Sequence, residues 1–237
     1  MFVLKEMGIL AAQLTEGITR LLVWIMRFSV INLIWVTFCL PIIFITIPVF
    51  FADDASGVFT VLLFLSIMAP FFFFPATMAM FGVVRKWVIG VDDVPLFFSF
   101  WKIYKENYKR SFLSGIFITF VLAILTLDIY YFSTINPMIS GVFTIALFFS
   151  FHFMIFFFAN SVHTTLSFWD NMKNSMILSL INPVYNLCIL FINVIILYVS
   201  FQLFTAFIPF FMGTTIAFVS FKGYYHLFRK VQESSKI

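Results

Sequence analysis

Long apolar runs, separated by short polar or charged stretches, recur along the whole 237-residue chain. A bilayer core about 30 Å thick is crossed by about 20 apolar residues of α-helix, each rising 1.5 Å. Residues 28–50, 58–82, 112–132 and 138–160 each meet that length. From Asn174 to Phe221 the chain runs 48 residues without a charged side chain. As one helix this stretch would reach roughly 70 Å, over twice the hydrocarbon thickness, so it turns back once. Ser200, Gln202 and Thr205, followed by Pro209, mark the turn and divide the stretch into spans at 181–202 and 204–221. The pattern predicts an all-α fold: a polytopic membrane helical bundle of about six transmembrane helices, forming a single transmembrane domain over 28–221.

Two segments outside the spans have a pattern of their own. Residues 1–27 are mostly apolar but interrupted by Lys5, Glu6, Glu16 and Arg20, which predicts an N-terminal interfacial segment. The loop 83–111 opens with Arg85 and Lys86, and Gly90, Asp92, Asp93 and Pro95 then signal a helix start. Beyond Pro95, a helical period places Phe97, Phe100, Trp101, Tyr104 and Tyr108 on one face, with Ser99, Lys102, Glu106 and Lys109 on the other. That is an amphipathic helix suited to the headgroup layer, or to docking a cytoplasmic protein through Arg85, Lys86, Phe97, Trp101, Lys102, Lys105 and Lys109. The segment "SFWKIYK" at Ser99–Lys105 has an echo in "SFWDNMK" at Ser167–Lys173. A parallel duplication of a helix pair would leave such a trace.

Composition agrees with the pattern. The chain is 63% hydrophobic and 10% charged, whereas soluble domains carry about 25% charged residues. Because apolar runs recur throughout, a cleaved secretory signal does not explain them. With six spans, residues 1–27, 83–111, 161–173 and the tail 222–237 share one side and hold all 14 Lys and Arg. The other side holds Asp53 and Asp54 and no cation. Positive charge is retained in the cytoplasm, so both termini are expected there, in a multi-pass protein of the plasma membrane. The net charge of +4 then faces anionic lipid, and no nucleic-acid partner is expected. Cys39 and Cys188 both fall in spans and read as packing residues.

Candidate chemistry is sparse. The chain has no Gly-rich phosphate loop, Cys-x-x-Cys, nucleophile elbow or paired helical His. No cofactor, metal or enzymatic activity is therefore expected, and nothing in the pattern specifies an oligomeric state. Polar residues inside spans are the remaining candidates, because a charge at mid-bilayer costs about 3 kcal/mol on insertion scales. Asp128 lies about 24 Å above the inner end of its helix and His152 about 14 Å above the inner end of the next, so a direct proton relay is not expected. Asn32 and Asn193 suit interhelical hydrogen bonds of about 1 kcal/mol each. Pro75, inside "FFFFPATMAMF", predicts a helix kink or break.

Two blocks, "WIMRFSVINLIWV" at Trp24–Val36 and "FFPATMAMFGVVRKWVIGVDDVPLFFSFWKIYKENYKRS" at Phe73–Ser111, resemble the YesL-like family of bacterial membrane proteins, a domain of unknown function. Members are often encoded beside carbohydrate ABC-transporter genes. The resemblance therefore implies an accessory or assembly protein linked to carbohydrate uptake, with a transporter subunit as cytoplasmic-side partner. The alternative is a small channel or secondary transporter built on the Pro75 break, Asp128, His152 and Asn193.

Overall fold

The computed structural model describes residues 2–47, 55–91 and 93–234; for residues 2–12, 55, 56, 58 and 234 it describes the helical backbone alone. The expected outer turn with Asp53 and Asp54, as well as Asp92, lies outside the described residues. Among those described there are eight α-helices and no strand: α1 Phe2–Thr46, α2 Ala55–Met68, α3 Phe73–Val88, α4 Leu96–Ile135, α5 Pro137–His163, α6 Phe168–Leu180, α7 Pro183–Tyr198 and α8 Gly213–Ser234. Four described segments are each long and apolar enough to cross a membrane: Gln13–Thr46 in α1, all of α4 and α5, and Pro183–Leu203. The pair α2–α3, bent by 55°, makes a fifth if it counts as one span. The chain is an all-helical membrane protein.

Several boundaries differ from the expectation, each for a physical reason. The segment expected to be interfacial is continuous with the first expected span, since α1 runs unbroken from Phe2 to Thr46. Within it, Arg20 pairs with Glu16 one turn away. The loop expected over 83–111 shrinks to Ile89–Pro95, since α3 extends to Val88 and α4 begins at Leu96. Gly90, at φ +87°, makes that short connection possible. The amides of Gly90 and Val91 return to the carbonyls of Trp87 and Lys86, closing α3 with a Schellman motif. The stretch 204–221 is not one helix. Two π turns, Val199–Leu203 and Ile208–Met212, flank a reversal at 204–207, close to where Ser200–Pro209 predicts it.

At the centre lies α3, whose residues from Phe74 to Val84 are all buried together with Trp87, packed between α1, α4, α5 and α8. A helix apolar on every side belongs in such a position. Two glycines let α4 approach it closely. A Cβ on Gly82 would lie 2.7 Å from Ile103 Cγ2, and one on Gly115 would lie 2.8 Å from Pro70 Cα and 2.9 Å from Phe74 Cγ. Because Pro70 presents backbone rather than a flexible tip, Gly115→Ala should force the helices apart and destabilise the protein by about 1–3 kcal/mol. Thermal unfolding in detergent, followed by helical circular dichroism, should show a lower midpoint than wild type. Gly17→Ala, in open space on α1, should leave it unchanged or raise it.

Candidate functional site

Two of the polar groups predicted inside the spans, Asn32 and Asn193, serve separate junctions. Asn32, fully buried on α1, faces the reversal between α7 and α8. Its Nδ2 donates to the carbonyls of Ile208 (2.9 Å) and Pro209 (2.7 Å), and its Oδ1 accepts from the Thr214 amide (2.9 Å). A π turn frees carbonyls that an α-helix would satisfy, and one carboxamide takes up both the donors and the acceptor required. Gly213 keeps that approach open, since a Cβ there would lie 3.1 Å from Asn32 Oδ1. Asn193 Nδ2 donates to Ser220 Oγ at 2.9 Å, tying α7 to α8.

His152 and Asp128 are not brought together. His152 is buried beside Phe156, with ring centroids 4.6 Å apart, and the Asn186 side chain lies next to it. Neither ring nitrogen makes a well-formed hydrogen bond among the described residues. Asn186 Nδ2 is already committed to the carbonyls of Leu178 (3.1 Å) and Ser179 (2.8 Å), bracing the turn from α6 to α7. Asp128 is half-buried near the far end of α4, with no hydrogen bond or ion pair among the described residues. Pro75 occupies the first turn of α3, where a missing amide costs little, because the first amides of a helix have no intrahelical partner. The 55° break falls one turn earlier, at Ala69–Phe72, with Pro70 in it.

The basic loop residues divide into two groups. Arg85 and Lys86 turn inward: Arg85 Nε donates to His163 Nδ1 (3.2 Å), and Lys86 Nζ donates to Ser99 Oγ (3.2 Å). Ser99, expected on the polar outer face, is buried because Lys86 reaches across the short loop to it. The start of α4 therefore packs along α3, with Phe100 buried. Facing outward are Phe97, Trp101, Lys102, Lys105 and Lys109. Lys105 Nζ sits 4.6 Å above the Trp101 ring, and Lys102 pairs loosely with Glu106 at 3.9 Å. Trp101, Tyr104, Tyr108 and Phe112 form a continuous ladder of rings along α4.

The densest polar site was not predicted. Asn160 on α5 donates to Asn171 Oδ1 (2.5 Å), and Asn171 donates to Ser161 Oγ (2.6 Å). Asn160 Oδ1 accepts from Asn174 Nδ2 (3.1 Å) and from the Tyr224 hydroxyl of α8 (2.7 Å). Asn160, Asn171 and Tyr224 are fully buried. Burial pushes the Tyr224 hydroxyl up, so it remains a neutral donor. Beside this cluster the His163 ring is collared by Phe221, Tyr224, Tyr225 and Phe228 at 4.8–6.0 Å. The network is neutral and its members satisfy one another, so its chemistry is to lock α5, α6 and α8 together at the basic end of the bundle. The sequence signal was the spacing Asn171, Asn174, Ser175, one helical face within a segment whose low hydropathy reads as a loop. Its helix is started by Ser167, whose Oγ accepts the Asp170 amide. No group of three His, Cys, Asp or Glu side chains able to hold a metal occurs among the described residues.

Comparison with known proteins agrees with the two sequence blocks. Three proteins of Bacillus subtilis (strain 168) are similar to this chain, and all are described as uncharacterized. YteU is 29% identical over 213 residues, covering 89% of this chain and 84% of YteU. YesL is 26% identical over 103 residues, covering 44% and 37% of the two chains, and YesV is 39% identical over 59 residues, covering 25% and 28%. No solved structure matches. Residues 28–129, from the first span through most of α4, match the family described as "Protein of unknown function, DUF624", a match that, with these relatives, is consistent with a YesL-like family of unknown function.

Proposed function

We propose that the chain is a non-enzymatic accessory or assembly protein of the plasma membrane, with both termini in the cytoplasm, supporting ABC-type carbohydrate uptake by contact with a transporter subunit. The observation that supports this reading is an arm of α1 with exposed apolar side chains. Residues 13–22 of α1 are exposed all round, with Leu14, Ile18, Leu21 and Leu22 at 58–59%. Apolar side chains exposed where a membrane helix outruns its own bundle are available to another helix or to lipid. Leu14, Ile18, Leu21 and Ile25 recur at steps of four, three and four, the seam of a helix that pairs with another helix. The outward residues Phe97 and Trp101 at the start of α4 add a second apolar patch at the basic end. The link to carbohydrate rests on the family resemblance, and the orientation rests on the sorting of cations.

A photo-crosslinker placed at Ile18, with one at Glu16 on the opposite face as control, tests the proposal in native membranes. Ile18 should capture a membrane-domain subunit of a carbohydrate ABC transporter several-fold more than Glu16 does. Capture of lipid alone, or equal capture from both positions, would overturn it. The rival channel or secondary-transporter reading draws on the 55° break between α2 and α3. It would replace this one if the purified protein moved a sugar or ion across proteoliposomes and Asp128→Asn abolished the flux.

A further inference from the structure

The outer face of α4 changes character within one turn. Lys102, Lys105, Glu106 and Lys109 recur at steps of three and four and therefore share a stripe, which Leu113, Ile116 and Phe120 continue at steps of four, three and four. Below Lys109 the stripe is cationic; above it, apolar and exposed. From Ser111 to Ile135 the helix carries a single charge, Asp128. Lys109 and Arg110 are thus the last cations before α4 enters hydrocarbon, at headgroup depth.

A groove of about 420 Å³ opens at this point between α4 and the start of α6, walled by Leu113, Ile116, Phe117, Phe120, Phe168 and Trp169. Its lining is apolar throughout. Arg110, one turn before Leu113 on α4, donates through one terminal nitrogen to the Leu166 carbonyl (2.9 Å), while its Nε is buried without an acceptor among the described residues. No carboxylate among the described residues pairs with Arg110 or Lys109. Asp170, at the start of α6, is engaged by Ser167, whose hydroxyl donates to it at 2.6 Å. Two adjacent cations, paired with no carboxylate among the described residues, therefore lie one turn of α4 before an apolar groove.

We propose that this groove binds an anionic phospholipid, with its phosphate held by Lys109 and Arg110 and an acyl chain laid along Leu113, Ile116 and Phe120 against Trp169. An anionic rather than a zwitterionic lipid fits, because a headgroup ammonium would be brought against Lys105 and Lys109. Trp169, with one apolar face and one polar edge, suits the rim of such a site.

Native mass spectrometry of the full-length protein in detergent, titrated with phosphatidylglycerol, phosphatidylcholine or inorganic phosphate, tests the site. Phosphatidylglycerol should give a saturable one-to-one adduct, weakened at least tenfold by the double variant Lys109→Gln, Arg110→Gln and at least threefold by Trp169→Ala. Lys222→Gln, on another helix, should leave it within twofold. Since Arg110 also holds the Leu166 carbonyl, Lys109→Gln alone provides the reading if the double variant fails to fold, with a loss of at least threefold. Equal retention of phosphatidylcholine, displacement of the lipid by millimolar inorganic phosphate, or adducts indifferent to Lys109 and Trp169 would overturn the proposal.

Discussion

Replacing Asn32 with Leu should be the most damaging single polar substitution in the membrane domain, lowering stability on the order of 3 kcal/mol. The side chain is fully buried, so no water replaces it. Its loss would strand the carbonyls of Ile208 and Pro209 and the amide of Thr214, each an orphaned backbone group costing about 1–3 kcal/mol. Part of that cost is recovered, because a chain unfolded within a membrane also finds partners. Leucine has the same number and branching of side-chain heavy atoms, so no cavity opens and the loss reflects the missing hydrogen bonds together with any crowding by its two methyls. Asn32→Asp should be no better, since it keeps an acceptor for Thr214 but sets a carboxylate against two carbonyls. Asn193→Leu is the internal comparison: only its bond to Ser220 disappears, so a loss of about 1 kcal/mol is expected. The measurement is reversible unfolding in mixed micelles, with hydrogen exchange at 204–214 as the local readout. Equal losses from Asn32→Leu and Asn193→Leu would show that Asn32 does not support the reversal.

What the sequence revealed, and what it hid, follows from the range of each interaction. Spans are local: twenty apolar residues announce a helix wherever they stand, and α4 and α5 follow from composition alone. The reversal at 204–207 was readable from length, since a 48-residue helix cannot fit the bilayer. Its latch was not readable, because Asn32 and Thr214 are 182 residues apart and hydropathy carries no record of partners. The continuity of α1 was hidden for the opposite reason: Lys5, Glu6, Glu16 and Arg20 lower local hydropathy, yet none of them breaks a helix. The echo between Ser99–Lys105 and Ser167–Lys173 also shows how little short identity fixes geometry. Ser167 caps the start of α6, whereas Ser99 is buried within α4 and accepts from Lys86.

These distinctions also separate two uses of polar side chains. Buried carboxamides such as Asn32, Asn160 and Asn193 bond to other side chains or to freed backbone, and thereby fix which helices are neighbours. Those left outward, Lys102, Lys105 and Lys109, are uncommitted to the fold and available to lipid or protein. Arg85 and Lys86, although as basic as the others, belong to the first class.

Asn160→Leu should follow Asn32→Leu in severity, at about 2–3 kcal/mol, because one side chain joins three helices. Its Oδ1 accepts from both Asn174 and Tyr224, and its Nδ2 donates to Asn171. Removing it leaves a buried Tyr224 hydroxyl and a fully buried Asn171 acceptor without partners, whereas Asn174, half-buried, can rehydrate. Tyr224→Phe removes one bond and keeps the ring against Phe156, Phe221 and Phe228, so a loss of about 1 kcal/mol is expected. If the network acts as a unit, the losses cannot add. In the double variant, Asn160→Leu with Tyr224→Phe, the stranded hydroxyl is gone, so the double should be less destabilised than the sum of the singles by 0.5 kcal/mol or more. Additive losses in that cycle would mean that Tyr224 is held by its aromatic neighbours, with its bond to Asn160 contributing nothing to the junction of α5 and α8.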